Sequence, residues 1–352
     1  MAGLPTKFSL PTPALLLDLD AFETNLRRMQ ERVCAAGKAL RPHAKAHKCV
    51  EIARRQIALG ANGVCVATVG EAEMMAAAGI TNLLFTSPAA DAAKMARIAA
   101  TGAMVVVDHQ DQVAMYSACG VKLEVLVDVD VGDHRTGAIP GEQVLAIAHA
   151  IECAPNLTLR GLQAYSVHGS HAGEYAARKQ VSEAAFAAVL ETRHRMWREG
   201  LCADILTGGS TGTWEIDTAL EEVTEIQAGS YALMDLAYRR IGLDFSHALT
   251  VLTTVISANH AGFVTVDGGF KAFSTDRGYG PEAAQLAGAT YKWGGDEFGY
   301  LHFDDPARLA RLGEKIEFIP PHCDPTVNLY DRIYACRGEN VEDVWPVMGR
   351  LR

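Results

Sequence analysis

The chain has 352 residues, 49% of them hydrophobic, and a formal net charge of −10. That is apolar mass for one large domain or two of ordinary size, and an acidic chain with no long basic run argues against a nucleic-acid partner. The N-terminal MAGLPTKFSLPTPALLLDLD lacks a charged start, apolar core and cleavage site, and no later apolar run reaches membrane-spanning length. The cysteines at 34, 49, 65, 119, 153, 202, 323 and 336 are scattered singly, which suits reduced thiols, so a cytoplasmic protein without disulfides is expected.

The opening KFSLPTPALLLDLD is extended and punctuated by proline, a segment suited to pairing with strands elsewhere in the chain. From about residue 40, short apolar runs alternate with Ala-rich amphipathic stretches. The candidate strands are ALRPHAKAH, GVCVAT (63–68), NLLFTSP (82–88), AMVVVDH (103–109), KLEVLVDVD (122–130), LTLRGLQAY (157–165), ADILTGG (203–209) and TEIQAGSY (224–231). Helix patterns lie between them, among them VGEAEMMAAAG, DAAKMARIAATG and a long EYAARKQVSEAAFAAVLETRHRMWREG ended by Gly200. Eight such units predict an α/β fold, a (β/α)8 TIM barrel, and the absence of GxGxxG after the first strand weakens a dinucleotide-binding reading. After about residue 240, LTVLTTVISANHAGFVTVDGG and KIEFIPPHCD bring β-branched runs and few helices. The expected domains are a barrel over 21–240 and a mostly β domain of 1–20 plus 241–352.

The first strand carries the densest chemistry. In LRPHAKAHK (40–48), strand alternation puts Arg41, His43, Lys45 and His47 on one face and leaves Lys48 on the other as scaffold or solvent contact. Lys45 is then the inward lysine, and an amine held among cations and partly desolvated loses its charge more readily and can form a Schiff base. The same stretch also suits a basic strand end in solvent, since lysines in strands snorkel outward.

A Schiff-base lysine commonly means pyridoxal phosphate, whose phosphate needs backbone donors. LTGGSTGTW (206–214), with Gly209, Ser210, Thr211 and Gly212, follows the seventh strand, and QAGSY (227–231), with Gly229, Ser230 and Tyr231, follows the eighth. These are the loops at which such barrels hold phosphate, although ordinary turns use the same residues. Arg135 in VGDHRTG (131–137) is a permanent cation suited to the ring's phenolic oxygen, or else a capped loop arginine. AYSVHGSHAGE (164–174) adds Tyr165 beside His168 and His171, two acid–base candidates between which geometry must choose. In PPHCDPTVNLYD (320–331), His322 and Asp324 share a strand face; they supply two legs of a site for Mn, Mg, Co or Zn, or form a structural pair at the surface.

RPHAKAHK, GDHRTG standing for a GxxRTG element, TGGSTGT, EIQAGSY and PPHCDPTVNLYD, in this order, resemble the fold-type III pyridoxal-phosphate enzymes of the D-threonine aldolase and D-serine dehydratase group. The resemblance runs from TPALLLDLD to VNLYD. It implies an alanine-racemase-like barrel with a β domain, a homodimer, pyridoxal phosphate on Lys45, and a divalent metal, Mn foremost, on His322 and Asp324. Aldolases of the group tend to pair His with Asp and the dehydratases His with Cys, so Asp324 favours an aldolase. His171, six residues after Tyr165, matches the histidine regarded as base for the substrate hydroxyl, with His168 the second candidate. One departure is DEFGYL (296–301), where Phe298 stands in place of a family histidine. The implied reaction takes D-threonine, or a related D-3-hydroxy amino acid, to glycine and an aldehyde. The rival is dehydration of D-serine or D-3-hydroxyaspartate to a keto acid and ammonia.

Overall fold

A computed structural model describes residues 6–305 and 310–350; residues 1–5, 306–309 and 351–352 of the expected β domain lie outside them. In chain order the main elements are β1 (Ala14–Asp18), α1 (Leu19–Ala35), β2 (Ala39–Leu40), α2 (Val50–Ala58), β3 (Val64–Val66), α3 (Val69–Ala77), β4 (Leu83–Phe85), α4 (Ala92–Ala100), β5 (Met104–Val107), α5 (Gln110–Ala118), β6 (Leu123–Asp128), α6 (Glu142–Glu152), β7 (Leu157–Ala164), α7 (Val167–Ser170), α8 (Tyr175–Arg198), β8 (Ile205–Gly208), α9 (Trp214–Asp217) and β9 (Glu225–Ile226). There follow α10 (Leu236–Arg240), β10 (Leu249–His260), β11 (Phe263–Val266), β12 (Glu282–Ala283), β13 (Ala289–Trp293), β14 (Gly299–Phe303), β15 (Lys315–Ile319), α11 (Cys323–Val327), β16 (Arg332–Arg337) and β17 (Asn340–Pro346).

The described residues fall into two compact units. One, built of Arg28–Lys45 and Val50–Gly229 with a short C-terminal piece, contains an eight-stranded parallel sheet in the order β2-β9-β8-β7-β6-β5-β4-β3. The sheet curls until its ends meet: the Cys65 N–H donates to the Pro42 carbonyl at 2.9 Å and His43 bridges Cys65 in parallel register. This is the expected α/β barrel. Strands VCV, LLF and MVVV are buried at every position, as strands covered on both faces must be, which is why they read as unbroken apolar runs. The helices start where the sequence supplies caps: Thr68 accepts the Glu71 N–H at 3.2 Å and Asp91 the Lys94 N–H at 2.7 Å.

The other unit combines the segment up to Arg27, Ala46–Cys49 and Ser230–Val347. Its nine-stranded sheet runs β13-β14-β11-β10-β1-β16-β17, with β15 and β12 branching from β10. The opening segment pairs here, β1 lying antiparallel to β10 (Leu16 opposite Thr250) and parallel to β16 (Leu16 opposite Tyr334). Phe298, just before β14, is exposed.

The first barrel strand is shorter than its sequence suggests. β2 stops at Leu40, but pairing runs on to His43, whose N–H donates to the Ala228 carbonyl at 3.3 Å, before Ala44–Ala46 forms a 3-10 turn. Strand alternation is therefore corrected from Ala44 onward, where the turn replaces the strand: His43 and Lys45 line a cavity, while Arg41 and His47 are buried and are not part of its lining. Lys48 is buried too, at a backbone φ of 53°, with Nζ 3.4 Å from the Asp324 carbonyl, so it is not a solvent contact.

Candidate active site

The 3-10 turn sets Lys45 at the edge of a barrel cavity of about 340 Å³, within the size range of small-molecule sites. Its backbone N–H donates to His43 Nδ1 at 3.4 Å, and His43 Nε2 lies 3.1 Å from the Thr86 hydroxyl. Lys45 Nζ sits 5.4 Å from the centre of the Tyr165 ring, and the Arg135 guanidinium 5.3 Å from the same ring. An amine, an aromatic face and a permanent cation thus converge on one cavity wall. The loop carrying Arg135 is pinned at Asp130, which accepts the N–H groups of Gly132 at 2.9 Å and His134 at 3.0 Å.

A second part of the wall is polar and buried. Gln163 and Gln227 line the cavity and are only 3% and 4% exposed. They join Asp128, Thr207 and Glu225 in a hydrogen-bonded ladder that ends in the buried Arg41–Glu225 ion pair, Nε to Oε1 2.8 Å. Removing one member of such a pair costs about 3–5 kcal/mol, because the other is left charged in the interior. Burial pushes the Asp128 carboxyl up to about 6, although hydrogen bonds from Gln163 and Thr136 pull the other way.

The loop after β8 is closed by its own hydroxyls. The Ser210 N–H donates to Thr213 Oγ1 at 3.1 Å and the Gly212 N–H to Ser210 Oγ at 3.0 Å, while Asp217, also pushed up to about 6 by burial, accepts from Thr213 and Ser182. Gly209 needs its φ of 74°, and a Cβ on Gly212 would stand 2.0 Å from the Ser170 carbonyl, so neither tolerates a side chain. Ser210 and Thr211 are buried. In the loop after β9, the chain passes through Gly229 into a 3-10 turn of Ser230–Ala232, where the Ser230 hydroxyl lies 3.3 Å from Asp324 Oδ1 and Tyr231 is buried against Phe245, ring centres 5.9 Å apart. Lys45, Arg135 and Tyr165 offer the barrel cavity an amine, a permanent positive charge and an aromatic face, chemistry suited to a small anionic aldehyde.

The two histidines separate. His168 is turned outward, its side chain 72% exposed, with Nδ1 2.7 Å from Asp133. His171 ends α7, half-buried, and is not part of the lining around Lys45.

In the β unit, His322 and Asp324 flank the start of α11. His322 Nδ1 is 2.7 Å from Asp276 Oδ2, which places the hydrogen on Nδ1, and Nε2 lies 4.0 Å from Asp324 Oδ1. Buried Asp235 accepts the Cys323 N–H at 2.9 Å and the Tyr238 N–H at 3.0 Å, so it holds the segment in place. Among the described residues no group of three or more His, Cys, Asp and Glu side chains gathers around a point. The pair offers one nitrogen and one carboxylate oxygen, donor types that a divalent cation takes. Arg277, whose Nη2 is 3.5 Å from His322 Nε2, stands on the same side.

Two family models match, alanine racemase N-terminal domain over residues 17–237 and "Putative serine dehydratase domain" over 248–336. A D-threonine aldolase of Arthrobacter sp. is 38% identical over 96% of this chain and 92% of its own length. The chain belongs to the D-threonine aldolase and D-serine dehydratase family of enzymes. Within that family, a 3-hydroxy-D-aspartate aldolase of Paracoccus denitrificans is 36% identical over 97% of this chain and 92% of its own. The solved structure of D-threonine aldolase from Filomicrobium marinum superposes with a TM-score of 0.96 at 36% identity, covering 99% of this chain and 98% of that one.

Strand parity, loop position and the spacing of His322 and Asp324 point to Lys45, Arg135 and His322, whereas Gln163, Gln227 and Asp128 in the cavity wall and Asp276 beside His322 are not singled out by the sequence. The available signal was a glutamine inside each of two otherwise apolar barrel strands, LTLRGLQAY and TEIQAGSY, since a polar side chain in a strand buried on both faces needs a partner.

Proposed function

We propose that the protein is a carbon–carbon lyase that cleaves D-threonine and related D-3-hydroxy amino acids to glycine and an aldehyde, with pyridoxal phosphate on Lys45 and a divalent metal, Mn foremost, on His322 and Asp324. The observation that carries it is the near full-length likeness to D-threonine aldolases, joined to a barrel cavity where Lys45, Tyr165 and Arg135 meet. When bound, the cofactor supplies an electron sink for the Cα–Cβ bonding pair and the metal acidifies the β-hydroxyl. Lys45 would hold the cofactor through its side-chain amine. Arg135 stays cationic beside the Tyr165 ring, and the loops at Gly209–Gly212 and Gly229–Tyr231 receive the phosphate. His171 takes the hydroxyl proton as the Cα–Cβ bond breaks, Cβ leaves as the aldehyde, and a proton delivered to Cα completes glycine. His168, tied to Asp133, serves the α7 loop.

The match of residues 248–336 to the dehydratase model favours a second reading, loss of the β-hydroxyl from D-serine or D-3-hydroxyaspartate. Incubation with Mn, pyridoxal phosphate and D-threonine separates the two: acetaldehyde and glycine without 2-oxobutyrate are expected, and 2-oxobutyrate with ammonia overturns the aldolase. The family also points to a homodimer, which light scattering in solution checks. No helix of the described residues is long and apolar enough to cross a membrane, and cytoplasmic residence is part of the proposal.

A further inference from the structure

The segment that follows β11 is tied to the start of α11. The His322 N–H donates to Ser274 Oγ at 3.1 Å, the Ser274 N–H to Thr326 Oγ1 at 3.1 Å, and the Tyr330 hydroxyl to the Ala272 carbonyl at 2.9 Å. Asp276 Oδ2 stands 2.7 Å from His322 Nδ1. The next residue, Arg277, is thereby delivered to the same imidazole, with Nη2 3.5 Å from Nε2 and a side chain only 24% exposed.

A guanidinium has hydrogens only to give, so this contact uses the lone pair of Nε2, in keeping with a hydrogen on Nδ1. Nε2 is also the ring nitrogen that a metal would take. Resting on the aldolase and metal reading above, a metal there claims the lone pair and turns the Arg277 hydrogens toward another acceptor. It changes the charge balance as well: a divalent ion and Arg277 bring three positive charges against the two negative ones of Asp276 and Asp324. The next charges out are opposite in sign, Lys48 with Nζ 3.4 Å from the Asp324 carbonyl and buried Asp235 on the Cys323 N–H. One further anion beside Arg277 completes the balance, and its charge is worth most where the groups are partly desolvated.

The substrate supplies that anion through the carbon that bears its hydroxyl. A hydroxyl acidified by the metal sits on Cβ, so the substituent sharing Cβ is the group nearest to it. A methyl there, as in D-threonine, offers Arg277 no acceptor, whereas a carboxylate offers two oxygens that match the guanidinium fork. We propose that Arg277 binds a carboxylate on Cβ of the substrate, so that the preferred substrate is the acidic D-3-hydroxyaspartate and Arg277 is the residue that selects it over D-threonine. When the Cα–Cβ bond breaks, Cβ leaves as glyoxylate, its hydroxyl oxygen becoming the aldehyde oxygen, and Cα takes a proton to give glycine.

The test uses the full chain loaded with pyridoxal phosphate and Mn, with metal and cofactor content measured for each variant. Wild type is expected to cleave D-3-hydroxyaspartate with a kcat/KM about tenfold or more above that for D-threonine. Arg277→Gln should cut that ratio about 10- to 100-fold, chiefly through KM, as hydrogen bonds to a charged group are lost. Malate and 3-hydroxybutyrate, the same two substrates without the amine, give a readout free of turnover. Calorimetry should show malate bound the tighter by wild type and the difference gone in Arg277→Gln. If the glutamine variant does not fold, Arg277→Lys, which keeps the charge but loses the fork, should lower both ratios by a smaller factor. Equal losses for the two substrates put Arg277 on the α-carboxylate they share and overturn the inference. Unmoved ratios, or a wild type without preference, overturn it too, and in each case the aldolase reading stands. A wild type that cleaves neither substrate overturns the aldolase reading, and malate binding then decides on Arg277 alone.

Discussion

Around the Lys45 cavity the polar side chains from Arg41 to Asp128 are buried and linked through Glu225, Thr207, Gln227 and Gln163, whereas His322, Asp324, Asp276 and Arg277 are partly exposed. The barrel network sits in a sheet whose strands are largely buried, so its hydrogen-bonding directions are set by the fold before any ligand arrives. The His322 segment instead depends on Asp276, whose side chain is 44% exposed, and on the Asp235 carboxylate gripping the Cys323 N–H. A cofactor site of the first kind is expected to survive changes that disable a metal site of the second.

The largest effect expected is at Lys45. Lys45→Ala should lower turnover of D-threonine by about four orders of magnitude or more and abolish the cofactor's absorbance, while leaving manganese uptake in place; equal turnover without the lysine would break the cavity's side of the comparison. His171→Ala is expected to lower kcat by about 10²–10⁴-fold, the usual worth of a general base, and His168→Ala by far less, given its outward orientation. The reverse order in steady-state kinetics would shift the proton transfer to His168.

The metal side is broken by Asp276→Asn. Loss of the carboxylate behind His322 should weaken Mn binding by about 10–100-fold in a calorimetric titration, with pyridoxal phosphate uptake unchanged. A matching loss of cofactor would mean that the two sites are not separable.

The smallest effect concerns stability. Burial holds Asp217 at about 6 in the folded chain against 3.8 as an ordinary carboxyl, so between these values the folded state keeps a proton that the unfolded state has released. Stability therefore falls as pH rises from about 4 to about 6 and is flat above, by on the order of 3 kcal/mol for this group. Asp217→Asn should flatten that fall in urea titrations run across the window; an unchanged slope would show that Asp217 does not carry it.

The barrel was legible from the alternation of apolar runs with amphipathic stretches, because strands buried on both faces have to be apolar throughout, as VCV and MVVV are. The sequence-level error was local. LRPHAKAHK reads as one strand, yet pairing ends after His43 and a turn follows, so Lys45 reaches the cavity through a 3-10 bend and Lys48 is buried beside the Asp324 carbonyl. The motif residues stood out because catalytic chemistry needs uncommon side chains close together in sequence. Gln163 and Gln227 did not: sixty-four residues separate them, and only the closure of β7, β8 and β9 into one sheet brings them to 3.1 Å.

Everything proposed for the cavity turns on which lysine of AKAHK carries the cofactor. Reducing the pyridoxal-phosphate-loaded protein with borohydride and mapping its peptides by mass spectrometry tests this most directly. The pyridoxyl group is predicted on Lys45; its appearance on Lys48 or another lysine, or on none, would contradict the account.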